Sequence, residues 1–112
     1  MSIPNGLYRV TFGTGQFGAG YGVAYLNDGQ LHGGDTMMAY VGSYNSEGDS
    51  FTASVHVFKH SDVPGMTSTL GVNDAQLSVS GTVHGTSVTG TGTAPQAPPG
   101  VTLQVKLEKL QG

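Results

Sequence analysis

Any chemistry in this chain has to come from its 4 histidines, its 7 acidic residues and its hydroxyls, because it contains no cysteine. The arrangement that draws attention is His32-Gly33-Gly34-Asp35, where a histidine stands three places before an acid. It could serve as a reactive pair, as part of a metal site, or as a bend. A metal needs more ligands than this: zinc takes three or four at about 2 Å. His56 and His60 lie four residues apart on one expected strand, roughly 13 Å along it at the usual rise per residue, so they cannot share an ion without a bulge. Nothing in the sequence draws His32 or His84 toward them. No Gly-x-Ser-x-Gly elbow accompanies the serines. The glycines of Gly13 to Gly18 precede a strand rather than a helix, which removes a phosphate-cradling reading. The acids stand mostly in turns and form no spaced catalytic pair. The sequence therefore predicts no catalytic residue, no metal and no cofactor. His-Gly-Gly-Asp reads as structure: Gly33 and Gly34 supply backbone freedom for a turn, and Asp35 accepts hydrogen bonds from the N–H groups that follow.

The elements that carry these residues are expected to be strands. Charged residues are 10% of the 112 and 19 residues are glycine. Glycine costs about 1 kcal/mol per interior helix position, and surface helices ordinarily expose charge. Alternation is plain in Gly6 to Thr14, with Tyr8, Val10 and Phe12 on one face and Leu7, Arg9 and Thr11 on the other. Further strands are expected over Phe17–Asn27, Gln30–His32, Thr36–Tyr44, Ser50–His60, Ala75–His84 and Thr86–Thr93. The last, from Val101, turns Val101, Leu103, Val105 and Leu107 inward. Leu77, Val79 and Val83 form the inward face of the sixth. Asn27-Asp28-Gly29 has the composition of a tight hairpin turn. Asn45 to Ser50 reads as a polar loop, and Ser61 to Asp74 lacks a clear period, with room for a helical turn after Pro64.

About eight short strands joined in sequence predict one all-β domain over residues 1–112. An antiparallel up-and-down barrel is favoured because closure removes exposed edges; a Greek-key sandwich is the rival. In the second strand Gly18, Gly20 and Gly22 leave one face bare. That face marks either a sharply curved strand with a neighbouring ring laid over it, or a place where a ligand or second subunit approaches the backbone.

The net charge is −3, and the fixed cations are Arg9, Lys59, Lys106 and Lys109. Neutralising phosphates takes a cluster of such residues, so nucleic acid is not an expected partner. No apolar run approaches the ~18 residues of a membrane helix, and the N-terminus lacks a signal pattern. The absence of cysteine is compatible with the cytoplasm.

The runs GLYRVTF, GYGVAYLNDGQLHGGD, YVGSY and VHVFKH together resemble the GrlR-like family, which consists of small negative regulators of type III secretion genes. The correspondence rests on Gly6-Leu7-Tyr8, on Gly33-Gly34-Asp35 and on Tyr40-Val41-Gly42, and it covers most of the first 60 residues. The resemblance implies a small lipocalin-like barrel, commonly a homodimer, that holds a transcriptional activator protein. It also implies an activator contact in the loop after the Tyr-x-Gly strand. Here that loop carries Glu47 and Asp49, separated by Gly48, as the expected partner-binding residues. The alternative is a lipocalin-like carrier, since an eight-stranded barrel can enclose a small apolar ligand.

Overall fold

The computed structural model describes residues 3–13, 19–65, 74–97 and 100–111. Eight strands follow one another: β1 (Gly6–Gly13), β2 (Ala19–Asn27), β3 (Gln30–Gly34), β4 (Met38–Glu47), β5 (Ser50–Lys59), β6 (Asp74–His84), β7 (Ser87–Thr93) and β8 (Leu103–Gln111). Each pairs antiparallel with the next, and β8 returns to β1, so the sheet is a closed up-and-down barrel. The barrel form, rather than the sandwich, is the one adopted. Closure of β1 on β8 runs from Tyr8 opposite Lys109 to Gly13 opposite Gln104, with a bulge between Leu7 and Tyr8. Outside this seam Arg9 donates to Glu108 at 3.0 Å. That hydrogen bond, helped by the nearby Lys106 and Arg9 charges, holds the Glu108 carboxyl below its usual pKa against an opposing desolvation that is second in size only to the hydrogen bond.

The period-two pattern sets the faces as expected. Tyr8, Val10, Leu77, Val79, Val83, Leu103 and Leu107 are all buried, and Val105 packs against them. Val101 also packs on the core, although it lies before β8 rather than in it. At some positions the backbone of the neighbouring strand comes too close for a side chain. A Cβ at Gly33 would stand 2.0 Å from the Val23 carbonyl oxygen, and one at Gly42 would stand 2.1 Å from that of Ser54.

Several expected boundaries move. Asn45 to Glu47 belong to β4, paired with Thr52, Phe51 and Ser50, and only Gly48 and Asp49 form the turn. The polar composition suggested a loop, but Ser46 is satisfied in place: its Oγ accepts from the Ile3 N–H at 3.0 Å. Gly33 and Gly34 are likewise strand residues, opposite Tyr40 and Ala39. Neither has a positive φ, so their glycine character answers to close backbone approach, not to a turn. His60 falls just beyond β5. Pro64 and Gly65 form a turn; the rest of the stretch to Asn73 lies outside the described residues, as do Phe17 and Gly18 of the expected second strand.

The two ends of the barrel differ. At one, three hairpins close in two residues each: Asp28-Gly29, Gly48-Asp49 and Gly85-Thr86. Asp28 and Gly29 have φ values of 49° and 89°, the double positive φ of a type I′ turn. In the other two only the leading glycine is positive, Gly48 at 60° and Gly85 at 64°, as in type II′ turns. The segment before β1 is tied across this end. Tyr8 donates its hydroxyl to the Pro4 carbonyl at 2.6 Å, Asn5 donates to Asp28 at 3.0 Å, and Ile3 is buried. Phe51 stacks on Tyr44 with ring centroids 5.8 Å apart. Tyr8, Leu26, Phe51 and Val88 are the most deeply buried large side chains among the described residues. The opposite end carries the β3–β4 connection and the longer segments between β5 and β6 and between β7 and β8.

Candidate functional site: an apolar cavity beneath the β3–β4 connection

Toward this second end several inward positions are glycine, and the barrel is hollow. The centre of a water-sized sphere can range over about 170 Å³ there. One water needs roughly 10–15 Å³ on that measure, so the space suits a solute of many atoms. Phe51 forms its floor. Val10, Ala24, Ala53, Val55, Leu77, Val79, Leu103 and Leu107 form its walls, and Asp35, Thr36 and Met37 stand at its rim. The alternation of each strand fixes this lining: the inward set is aliphatic and the outward set carries the Thr, Ser and charged residues.

The polar feature of this cavity is built by the β3–β4 connection. Asp35 Oδ1 accepts from the Met37 N–H at 2.9 Å and from the Met38 N–H at 2.7 Å, while its own N–H donates to the Met38 carbonyl at 2.9 Å. The aspartate is thus the turn former the sequence suggested. Its second oxygen, Oδ2, accepts the hydroxyl of Tyr40, a buried residue on the inward face of β4. Burial, and then the hydrogen bond to Asp35 and its charge, raise the Tyr40 phenol well above its ordinary pKa of 10.0. It therefore stays protonated and keeps its proton directed at Asp35. His60 braces the same connection from outside: its Nε2 lies 2.9 Å from the Asp35 carbonyl, and its N–H donates to the Met37 carbonyl at 2.8 Å.

The bare face of β2 explains how Tyr40 reaches Asp35. Gly20 and Gly22 point inward and are covered by aromatic rings. A Cβ at Gly22 would meet the Tyr40 hydroxyl at 2.7 Å, and one at Gly20 would meet the Phe12 ring at 2.4 Å. Phe12 and Tyr40 then meet edge to face, with centroids 6.3 Å apart. Of the two readings of that face, the neighbouring ring holds for Gly20 and Gly22. The outward side of β2 is apolar instead: Tyr21, Val23 and Tyr25 are exposed, as is Val41 on β4.

The other singled-out residues are dispersed. His32 is exposed on β3, opposite Tyr25. His56 Nε2 lies 3.0 Å from Asp74, and His84 contacts Thr89. Among the described residues no group of three or more His, Cys, Asp or Glu could hold a metal, and no helix is long and apolar enough to cross a membrane. Glu47 and Asp49 are exposed at the β4–β5 hairpin tip, at the far end from the cavity. Sequence reasoning missed the role of Tyr40, whose inward position was legible from its two-residue spacing to Met38. It also missed Ile3, which seals the closed end. No protein-family model matches the chain, and no curated protein is similar to it.

Proposed function

We propose that the protein binds a small, largely apolar molecule inside its barrel. The observation that carries this reading is the asymmetry of the interior: bulky side chains plug one end, while the other holds an apolar cavity with one polar pair at its rim. Small-molecule sites are commonly concave and apolar with a few placed polar groups. The Tyr40 phenol is held protonated across the neutral range, which suits a fixed hydrogen-bonding role rather than proton transfer. The test is calorimetric titration with 1-octanol against the wild type and against Ala24→Phe and Ala53→Phe, both of which place a ring in the cavity. Wild-type binding that both substitutions abolish supports the reading. Heat of binding unchanged in folded variants overturns it.

A second reading follows from the hairpin tip. Glu47, the last residue of β4, and Asp49, in the two-residue turn that follows, are exposed and make no ion pair among the described residues. They suit contact with a basic patch on a protein, as expected for a cytoplasmic regulator of the GrlR-like kind that sequesters a transcriptional activator. Exposed carboxylates act mainly on association rate and specificity. Replacing both with alanine should slow capture of such an activator, and added salt should mimic the loss. Unchanged association would remove this mechanism. In a homodimer, the exposed Tyr21, Val23, Tyr25 and Val41 would be the surface to cover, since the glycine face of β2 is occupied from within.

A further inference from the structure

We infer that the cavity selects an apolar amine, bound as its ammonium with the head group at Asp35 and Tyr40. This inference rests on the cavity being a ligand site and adds the chemical class of the ligand. Asp35 is the one formally charged residue lining the cavity among the described residues. The fixed cations are engaged or directed elsewhere. Arg9 and Lys106 lie beside Glu108 on the outer surface, Lys59 pairs with Asp62, and Lys109 lies opposite Tyr8 near the closed end. The segments 14–18, 66–73 and 98–99 contain no Lys, Arg or His in the sequence, so they supply no cationic side chain to the cavity. A carboxylate ligand therefore has no positive side chain to meet there and faces a like charge at the rim.

The hydrogen-bond inventory points the same way. An ionised carboxylate has about four lone-pair sites and a phenol oxygen about two. Asp35 spends three on Met37 N–H, Met38 N–H and the Tyr40 hydroxyl. The Tyr40 proton is committed to Asp35, so what the pair has left to offer is roughly one acceptor site on the carboxylate and two on the phenol oxygen. An alkylammonium has three N–H donors and one positive charge, which match that remainder in number and sign. A neutral alcohol supplies one donor and no charge. A carboxylate supplies acceptors where the pair already has only acceptors. The aliphatic walls take the alkyl chain, and the rim position of Asp35, half-buried rather than sealed, leaves the ammonium partly hydrated, which limits its desolvation cost.

The experiment is calorimetric titration of the full chain with octylammonium, 1-octanol and octanoate, which share one chain length. Octylammonium should bind at least about tenfold tighter than octanoate, a difference of ~1.4 kcal/mol, with octanol between them. Asp35→Asn should reduce that preference to less than about threefold by removing the charge. Because Asp35→Asn also alters a turn, Tyr40→Phe serves as a second variant. It leaves the backbone bonds of Asp35 in place, removes the phenol acceptor, and should weaken octylammonium more than octanol. Octanoate binding as tightly as octylammonium, with octanol also bound, overturns the ligand class and leaves the cavity reading standing. Failure of all three to bind overturns the cavity reading itself, and the inference with it.

Discussion

The two ends of this barrel share strands, twist and core, yet one is built to be shut and the other to hold a space. At the shut end Tyr8, Leu26, Phe51 and Val88 fill the section, the Ile3–Asn5 segment is bonded across it, and three two-residue turns leave no slack. Each turn is also tied to a neighbouring strand: Tyr44 N–H to the Gly29 carbonyl, Val83 N–H to that of Asp49, and Lys109 N–H to that of Thr86. At the other end the inward positions include Gly20, Gly22, Gly33 and Gly92 beside larger residues such as Phe12 and Tyr40, the connections are longer, and Phe12, Val57 and Val105 are only half-buried. Dense packing and open space are thereby separated along one axis. The closely packed, hydrogen-bonded shut end and the continuous strand pairing brace the barrel around its apolar hollow.

Emptying the shut end should have the largest effect on stability. Phe51→Ala should destabilise by about 3–5 kcal/mol, because a deeply buried ring stacked on Tyr44 leaves a void that close packing cannot refill. Phe12→Ala, which removes a half-buried ring beside an existing cavity, should cost about half as much or less. Leu103→Ala, buried but lining the hollow, should fall at the lower part of the ~2–5 kcal/mol range for such truncations. Urea unfolding of the three variants orders them, and equal losses for Phe51 and Phe12 would remove the distinction between the ends.

Glycines sharpen it. Gly42→Ala presses a Cβ onto the Ser54 carbonyl, which is backbone in a paired strand, and should cost about 1–3 kcal/mol or more. Gly20→Ala meets the edge of the Phe12 ring, a side chain with space to move into, and should cost less than Gly42→Ala in the same denaturation assay.

The alkaline limb of stability tests the Asp35–Tyr40 pair. The Tyr40 phenol has a folded-state pKa raised above its ordinary 10.0, so its contribution is fully present below that value. Above it the unfolded chain releases a proton that the native state retains, and stability falls as pH rises. Tyr8 at the shut end is raised in the same direction, by burial first and then by Tyr44. Tyr40→Phe should therefore flatten the loss of stability above pH 10 without abolishing it. An alkaline profile identical to wild type would mean that the pair is not formed as described.

Much of the scaffold was legible because a strand's period of two is a strong signal when one face is buried. Leu77, Val79 and Val83, and Leu103, Val105 and Leu107, faced as their spacing said. The errors have a common physical origin. The polarity of Asn45 to Glu47 suggests a loop, and the glycines at Gly33 and Gly34 suggest a turn. In the barrel, polarity at Ser46 is satisfied by a distant backbone N–H, and the two glycines answer to backbone approach across strands. Both causes are contacts with other segments of the chain, which local composition does not encode. The site was half legible for the same reason. Asp35 as a turn former follows from its neighbours in sequence, whereas its bond to Tyr40 depends on Gly22 of another strand leaving room for the phenol.

The central claim, that one end binds and the other only holds, is tested most directly by amide chemical-shift mapping during titration with 1-octanol. Saturable shifts should concentrate on Asp35 to Tyr40 and on Phe12, Val57 and Val105, and leave the hairpin tips at 28–29, 48–49 and 85–86 unmoved. Shifts centred on those tips, or no saturable shifts at all, would contradict it.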